Sequence, residues 1–377
     1  LTQGKALVVF GTRPEAIKLA PVVRTLAPRM RVHVCITAQH RQMLDQVLSL
    51  FELAPDYDLN IMRPGQSVST LTSTILQSLG PVIERDGPDV VVVQGDTTTT
   101  FAAALAAFYL KVPVAHVEAG LRTGDKAHPF PEESNRRLTT HLADWHFAPT
   151  DGARNNLLDE GIAAERVFVV GNTGVDALFA ALQRLDAGAV TVPLPDSLSH
   201  AVEGSRFILV TGHRRESFGP GFQQMCEAFR RIVERNPGVS IVYPVHLNPN
   251  VHGPVHAILG KVRGIHLTDP LDYVSFVYLM RKAELILTDS GGVQEEAPSL
   301  GKPVLVMREK TERPEGVQAG VARLVGTSSE RIVSATEELL RDRAAYEAMA
   351  RRQNPYGDGH AAARIADILC RQLRGCT

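Results

Sequence analysis

The segment Asp89–Gly120, DVVVVQGDTTTTFAAALAAFYLKVPVAHVEAG, decides the fold. Its valine run does not alternate with polar residues, so both faces of the strand it forms must be covered. That pattern belongs to a parallel sheet flanked by helices. Four threonines then open an alanine-rich helix, and VPVAHVEAG supplies a second apolar run. Outward from this unit the alternation repeats. KALVVF (5–10) is followed by GTRPEAIKLAPVVRTLA (11–27), whose apolar spacing suits a helix, and RVHVCITA (31–38) by HRQMLDQVLSLF (40–51). SNRRLTTHLADWHF (134–147) reads as a helix, and RVFVVGN (166–172) as a strand before a helix from Asp176 to Leu185.

From Ala187 to Ser205 the pattern lapses into AGAVTVPLPDSLSHAVEGS, read as an interdomain segment without long periodicity. A second strand–helix series follows: RFILVTGH (206–213), VSIVYPVH (239–246), GIHLTDP (264–270), ELILTDSGG (284–292) and KPVLVM (302–307). The chain closes with helical stretches at Ile332–Leu340, Ala345–Arg352 and, after NPYGDG (354–359), Ala361–Leu373. The expected fold is α/β: two Rossmann-like, doubly wound domains facing a cleft, with ligands outside the carboxyl ends of the strands. The expected domains are 1–186 and 205–354.

Length agrees, since 377 residues exceed what one core usually holds. A net charge of -1 excludes the basic excess that nucleic acid or an anionic membrane surface would demand. No stretch approaches the roughly 18 apolar residues of a membrane span. Cys35, Cys226, Cys370 and Cys376 are scattered without CxxC spacing, which reads as reduced thiols in a cytoplasmic protein and not as a zinc site or disulfide frame.

Candidate chemistry lies at the strand ends. In GTRPEAIK, Gly11 makes the turn, Thr12 stands near the helix N-cap, and Arg13 and Lys18 occupy or border the first turn, where an anion is favoured. A well-capped helix with ordinary surface cations accounts for this segment equally well. No GxGxxG is present, so a dinucleotide cofactor is not expected. Asp96 and Glu118 end consecutive strands, and neighbouring strands would deliver both acids to one rim. Paired carboxylates in a partly desolvated site acquire separated pKa values, which acid and base work requires. Glu132 and Glu133 follow HPFP, whose prolines stiffen the approach, although first-turn acids are also common for the dipole alone.

In the second half, His213 stands just past a strand beside Arg214 and Arg215, suited to phosphate or a departing anion; His246 is a similar strand-end histidine with weaker support. The strongest local signal is LILTDSGGVQEEAPSLGKPVLV (285–306). Gly291 and Gly292 let backbone N–H groups approach a diphosphate, a first-turn glutamate can accept both hydroxyls of a ribose, and Arg313 completes the charge. Phe276 could offer an aromatic face to a base, with a place in the core as its default.

On these residues the sequence resembles the non-hydrolysing UDP-N-acetylglucosamine 2-epimerases of bacterial type. The matching pieces run in family order over nearly the whole chain: FGTRPEAIKLAP, TAQHRQMLDQVL, GDTTTTFAAALAAFY, HVEAGLRTGD, PFPEE, TGHRRESFG, YPVHLNPNV, TDSGGVQEEAPSLGKPVLVMR, TERPEGV and NPYGDG. The resemblance implies a GT-B-type fold whose C-terminal helix, 360–377, crosses back to the first domain, with UDP held by the second. It implies a homodimer that converts UDP-GlcNAc to UDP-ManNAc reversibly, without cofactor or metal, for cell-surface polysaccharide. Catalytic roles carry over to Asp96, Glu118, Glu132 and His213. Nucleotide-sugar contacts carry over to Arg13, Lys18, Phe276, Ser290, Gly291, Gly292, Glu296 and Arg313. A further contact falls on Leu271, where only the backbone could serve. Many bacterial members bind a second UDP-GlcNAc as activator, and Gln39, Gln42, Arg214 and His246 match that site. An arginine some members use there falls on Gly65, with Arg63 two residues away.

The hydrogen on C2 of such a sugar has no adjacent carbonyl to acidify it. Departure of UDP first would put positive charge on C1 and make that hydrogen removable, which calls for acid/base groups on both faces of the ring. Asp96 and Glu132 are the expected proton-transfer pair, Glu118 an orienter or alternate base, and His213 with Arg13 the leaving-group stabilisers. A GT-B glycosyltransferase would share the diphosphate loop but need an acceptor. A hydrolysing epimerase would release free ManNAc and UDP. A non-catalytic sensor would have no use for the acids.

Overall fold

Parallel pairing organises every strand of the computed structural model, which describes residues 4–37, 41–61, 63, 65–212, 214 and 219–373. The first sheet contains β1 (Lys5–Phe10), β2 (Arg31–Ile36), β3 (Tyr57–Asp58), β4 (Val90–Gln94), β5 (Val114–Val117), β6 (Trp145–Ala148) and β7 (Val167–Val169). Their order is β3-β2-β1-β4-β5-β6-β7, so the direction of winding reverses between β1 and β4. The second sheet contains β8 (Arg206–Thr211), β9 (Val239–Pro244), β10 (Ile265–Thr268), β11 (Ile286–Thr288), β12 (Val304–Val306) and β13 (Ala322–Leu324), in the order β10-β9-β8-β11-β12-β13. Its reversal falls between β8 and β11. Both are Rossmann-like sheets, and ligands of such sheets bind where the order reverses.

The valine run behaves as its composition requires. Val90 to Val93 are fully buried, because helices cover both faces of β4. One helix, Thr98–Tyr109, starts from a Thr97 side-chain cap and buries its alanines, which lets it lie close to the sheet. The chain divides into two compact units: Leu1–Ala180 with Tyr356–Thr377, and Ala181–Pro355. The last helix, Ala361–Gln372, packs on helix Arg13–Leu26 of the first unit. The carboxylate of Asp176 accepts the N–H groups of Ala361 (3.2 Å) and Ala362 (2.8 Å), capping that helix from another element.

Two local expectations are corrected. The helix read over 134–147 stops at Leu142, and Trp145–Ala148 forms β6. Asp144 breaks it: its backbone donates to Val114 O at 2.8 Å and its carboxylate accepts from Val114 N at 3.0 Å, pinning the chain beside β5. The segment 187–205 contains a short helix, Asp196–Val202, seated by buried Leu198 and Val202 one turn apart.

Candidate active site

The first unit builds its rim from the ends of β1, β4 and β5. Gly11 leaves β1 where a Cβ would stand 2.2 Å from Thr37 Oγ1 and 2.6 Å from Thr99 Oγ1, so only glycine fits. Thr12 caps the helix Arg13–Leu26, and Glu15 completes the capping box. Glu15 is buried, and it does more than cap. One carboxylate oxygen accepts the N–H groups of Gly11 (3.0 Å) and Thr12 (2.7 Å), the other the hydroxyls of Thr97 (2.6 Å) and Thr100 (3.1 Å). It thereby ties the loop after β1 to the loop after β4. Burial raises its pKa against the opposing pull of those donors. Arg13, half-buried, opens the helix, and Lys18 from its second turn donates to Glu118.

At the end of β4, Gly95 turns with φ +76° and its carbonyl accepts from Nε2 of buried His116 at 2.7 Å. Burial drives the His116 pKa down to about 4, so the ring is neutral and its Nε2 carries the proton. Asp96 follows. Its carboxylate pairs with the Arg136 guanidinium and its carbonyl accepts from the Asn135 amide at 3.0 Å. Both partners belong to helix Glu132–Leu142, whose first residue is Glu132. Glu118 ends β5 in the left-handed region, φ +63°, and a Cβ on Gly95 would stand 4.0 Å from its Oε1. The fold thus brings Asp96 and Glu118 to adjacent strand ends and docks the helix of Glu132 on Asp96.

The neighbouring glutamates differ. Glu133 is fully buried and accepts from Thr123 N (3.1 Å) and Gly124 N (3.3 Å), with Arg136 Nη1 at 3.3 Å. Glu132 is half-buried, and its Oε2 has no hydrogen-bond partner among the described residues. One glutamate holds the loop; the other keeps an oxygen for something else.

The second unit presents the ends of β8 and β11. Tyr243, buried on β9, donates its hydroxyl to Gly212 O at 2.8 Å, and buried Asp289 accepts the N–H of Arg214 at 2.8 Å. The loop is held on both sides of His213, which itself lies outside the described residues. After β11, Ser290 precedes helix Gly291–Glu296. A Cβ on Gly291 would stand 2.8 Å from the Arg313 guanidinium carbon, whereas one on Gly292 meets nothing within 4 Å. Arg313 Nε donates to Glu295 at 2.9 Å, and the Tyr273 hydroxyl to Glu296 at 3.4 Å. Leu271 and Phe276 are half-buried, and Phe276 stands outside the buried core.

Arginines crowd this end. Glu312 takes a two-pronged pair from Arg308 (2.6 and 3.2 Å), with Arg214 at 3.6 Å and Arg313 at 3.7 Å. Burial alone would raise its pKa; the hydrogen bonds from Arg308 and the charges of Arg214, Arg308 and Arg313 outweigh it and set it to about 2. Three guanidinium groups thus converge on one carboxylate, and one of them, Arg313, also pairs with Glu295.

The UDP-N-acetylglucosamine 2-epimerase family model matches residues 24–370. The chain belongs to that family. The UDP-N-acetylglucosamine 2-epimerase of Salmonella typhimurium is 58% identical over 97% of this chain and 98% of its own, and that of Escherichia coli K12 is 56% identical over the same shares. The crystal structure of the Neisseria meningitidis UDP-GlcNAc 2-epimerase bound to UDP-GlcNAc superposes with a TM-score of 0.90 at 50% identity, covering 97% of this chain and all of that one. The chain is therefore an epimerase, an isomerase, and both of its Rossmann-like units follow the GT-B-like plan of that family.

For this epimerase, Gln39 lies outside the described residues, and Gln42 falls within helix Arg41–Phe51. His246 is exposed just past β9, where its Nδ1 accepts from Asn248 N at 3.1 Å. Reading the sequence missed four residues that hold the rims: Glu15, Asp289, Glu312 and Asn172. Only Glu15 left a signal, the T-x-x-E spacing of a capping box from Thr12. Asp289 and Asn172 act through partners far away in the chain, and Glu312 through Arg308 four residues before it together with distant Arg214.

Proposed function

We propose that this epimerase interconverts UDP-N-acetylglucosamine and UDP-N-acetylmannosamine by eliminating UDP and adding it back. The anomeric C1–O bond breaks and its electron pair leaves with UDP. A carboxylate takes H2 as a proton, and C1=C2 forms, giving 2-acetamidoglucal by anti elimination. A second group then delivers a proton to C2 from the other face while a phosphate oxygen of UDP re-adds to C1, a syn addition. No water is consumed. Asp96 and Glu132 are the proton-transfer pair, and Glu118 orients the sugar or serves as alternate base. The observation that carries this reading is the helix Glu132–Leu142. It begins with a glutamate whose Oε2 has no hydrogen-bond partner among the described residues, and one turn later it grips Asp96 through Arg136. One rigid element thus fixes both acids.

We assign UDP to the second unit. The open side of Gly292 suits close approach of a diphosphate, with Ser290, Gly291 and Arg313 around it. Glu296 would accept from the ribose, Phe276 would stack on the base, and Leu271 would contribute its backbone. His213 and Arg13 would stabilise departing UDP. UDP-GlcNAc bound in the Neisseria meningitidis relative supports this substrate class. A second UDP-GlcNAc as activator would use Gln39, Gln42, Arg214 and His246. A homodimer is favoured by exposed Phe108, Tyr109 and Leu138 on two helices that pack together, Thr98–Tyr109 and Glu132–Leu142. A cytoplasmic setting fits free cysteines at Cys35, Cys226 and Cys370. No helix among the described residues is long and apolar enough to cross a membrane.

Incubation with UDP-GlcNAc in deuterated water, followed by NMR, tests the scheme. UDP-ManNAc should form with deuterium at C2. Product without deuterium would exclude proton removal at C2, and free ManNAc with UDP would make the enzyme a hydrolase.

A further inference from the structure

The return segment NPYGDG seats a residue of the reaction centre. Tyr356 O accepts the backbone N–H of Asn172 at 2.7 Å. Gly357, at φ +149°, passes so near that a Cβ there would stand 3.3 Å from Asn172 N. Arg364, in the last helix, donates to Val170 O at 3.1 Å. The chain just past β7 is therefore braced by residues that follow it by more than a hundred and eighty positions, as the Asp176–Ala361 cap also is.

The Asn172 side chain is buried, 2% exposed, and has one way to lie. Its Oδ1 accepts Gly174 N–H at 2.8 Å, which identifies the oxygen end of the amide. The NH2 end then donates to Glu118 Oε2 at 3.2 Å, the same oxygen that receives Lys18. Glu118 needs such holding. Its left-handed backbone costs a residue with a Cβ about 1–2 kcal/mol, so tertiary contacts and not the strand it ends determine where its carboxylate points.

We infer that Asn172 is a positioning residue for the epimerisation, fixing the Glu118 carboxylate, and that the returning chain at Tyr356–Gly357 in turn fixes Asn172. This rests on Glu118 serving the reaction as proposed above. The crossing-back of the C-terminal segment then contributes to catalysis as well as to stability.

Asn172→Asp and Asn172→Ser test it. Both keep an oxygen for Gly174 N–H, and both remove the N–H that reaches Glu118; the serine buries no new charge, so it covers the case in which the aspartate unfolds the unit. The expected result is a kcat loss of roughly 10–100-fold, the scale of a misplaced catalytic group. KM should move less than kcat, because the UDP contacts assigned above to the second unit are made by other residues. UDP should raise the melting temperature of both variants as it does that of the wild type. Wild-type kcat in both variants, with Glu118→Gln inactive, would overturn the role of Asn172; so would a loss confined to KM. A Glu118→Gln enzyme of normal turnover would instead remove the premise.

Discussion

Glu132→Gln and Glu133→Gln should part company, although the residues are adjacent and chemically identical. Glu133 is fully buried, accepts two backbone N–H groups and lies 3.3 Å from Arg136. A hydrogen bond to a charged group contributes about 1.5–3 kcal/mol, and breaking a buried ion pair from one side costs about 3–5 kcal/mol. Glutamine keeps the shape and one acceptor oxygen, so about 3 kcal/mol is expected. For a domain of roughly 150–250 residues each kcal/mol lowers the melting temperature by about 2–4 °C, giving a loss of about 6–12 °C. Glu132 gives up only its interaction with the helix N-terminus, within about 1 kcal/mol. Its removal should instead cut kcat by roughly 10²–10⁴-fold, the range for general acid/base groups. Thermal melts by circular dichroism, with epimerisation followed by NMR, read both quantities. A Glu133→Gln protein that melts normally but does not turn over, or a Glu132→Gln protein with near-normal rate, would refute the division.

Gly292→Ala should leave the melting temperature of the free protein unchanged, because its Cβ meets nothing within 4 Å, yet weaken UDP binding by calorimetry; Gly291→Ala should lower both, because its Cβ meets the Arg313 guanidinium at 2.8 Å. Unchanged UDP affinity in both would remove the diphosphate assignment. Stability should fall on acidification. Burial lowers the pKa of His116 from 6.5 to about 4 and that of His146 from 6.5 to about 3, so below 6.5 the unfolded chain binds protons that the native one refuses. Urea midpoints should drop between about pH 7 and pH 5, and drop less in His146→Leu, whose ring nitrogens have no hydrogen-bond partner among the described residues. An equal drop in the variant would remove His146 from the account.

Much of this was legible in the chain. Apolar runs without alternation leave a strand no face for water, so KALVVF, DVVVVQGD and ELILTDSGG read as covered strands of parallel sheets. The short edge strand β3 and the helix-to-strand switch at Trp145 were not legible, because pairing with a neighbouring strand overrides local pattern there. Candidate acids could be named because strand ends are where such sheets place ligands. Which acid serves which face of the sugar could not.

The order of motifs along the chain carried the resemblance to the family, and local composition and periodicity determined the fold class. Tertiary structure alone decided that Glu133 is committed to backbone N–H groups while Glu132 is not, that Glu15 reaches Thr97 across 82 residues, and that Asn172 meets both Glu118 and Tyr356. The reason is physical: what a carboxylate can do depends on which donors surround it, and those donors arrive from parts of the chain that only folding brings together.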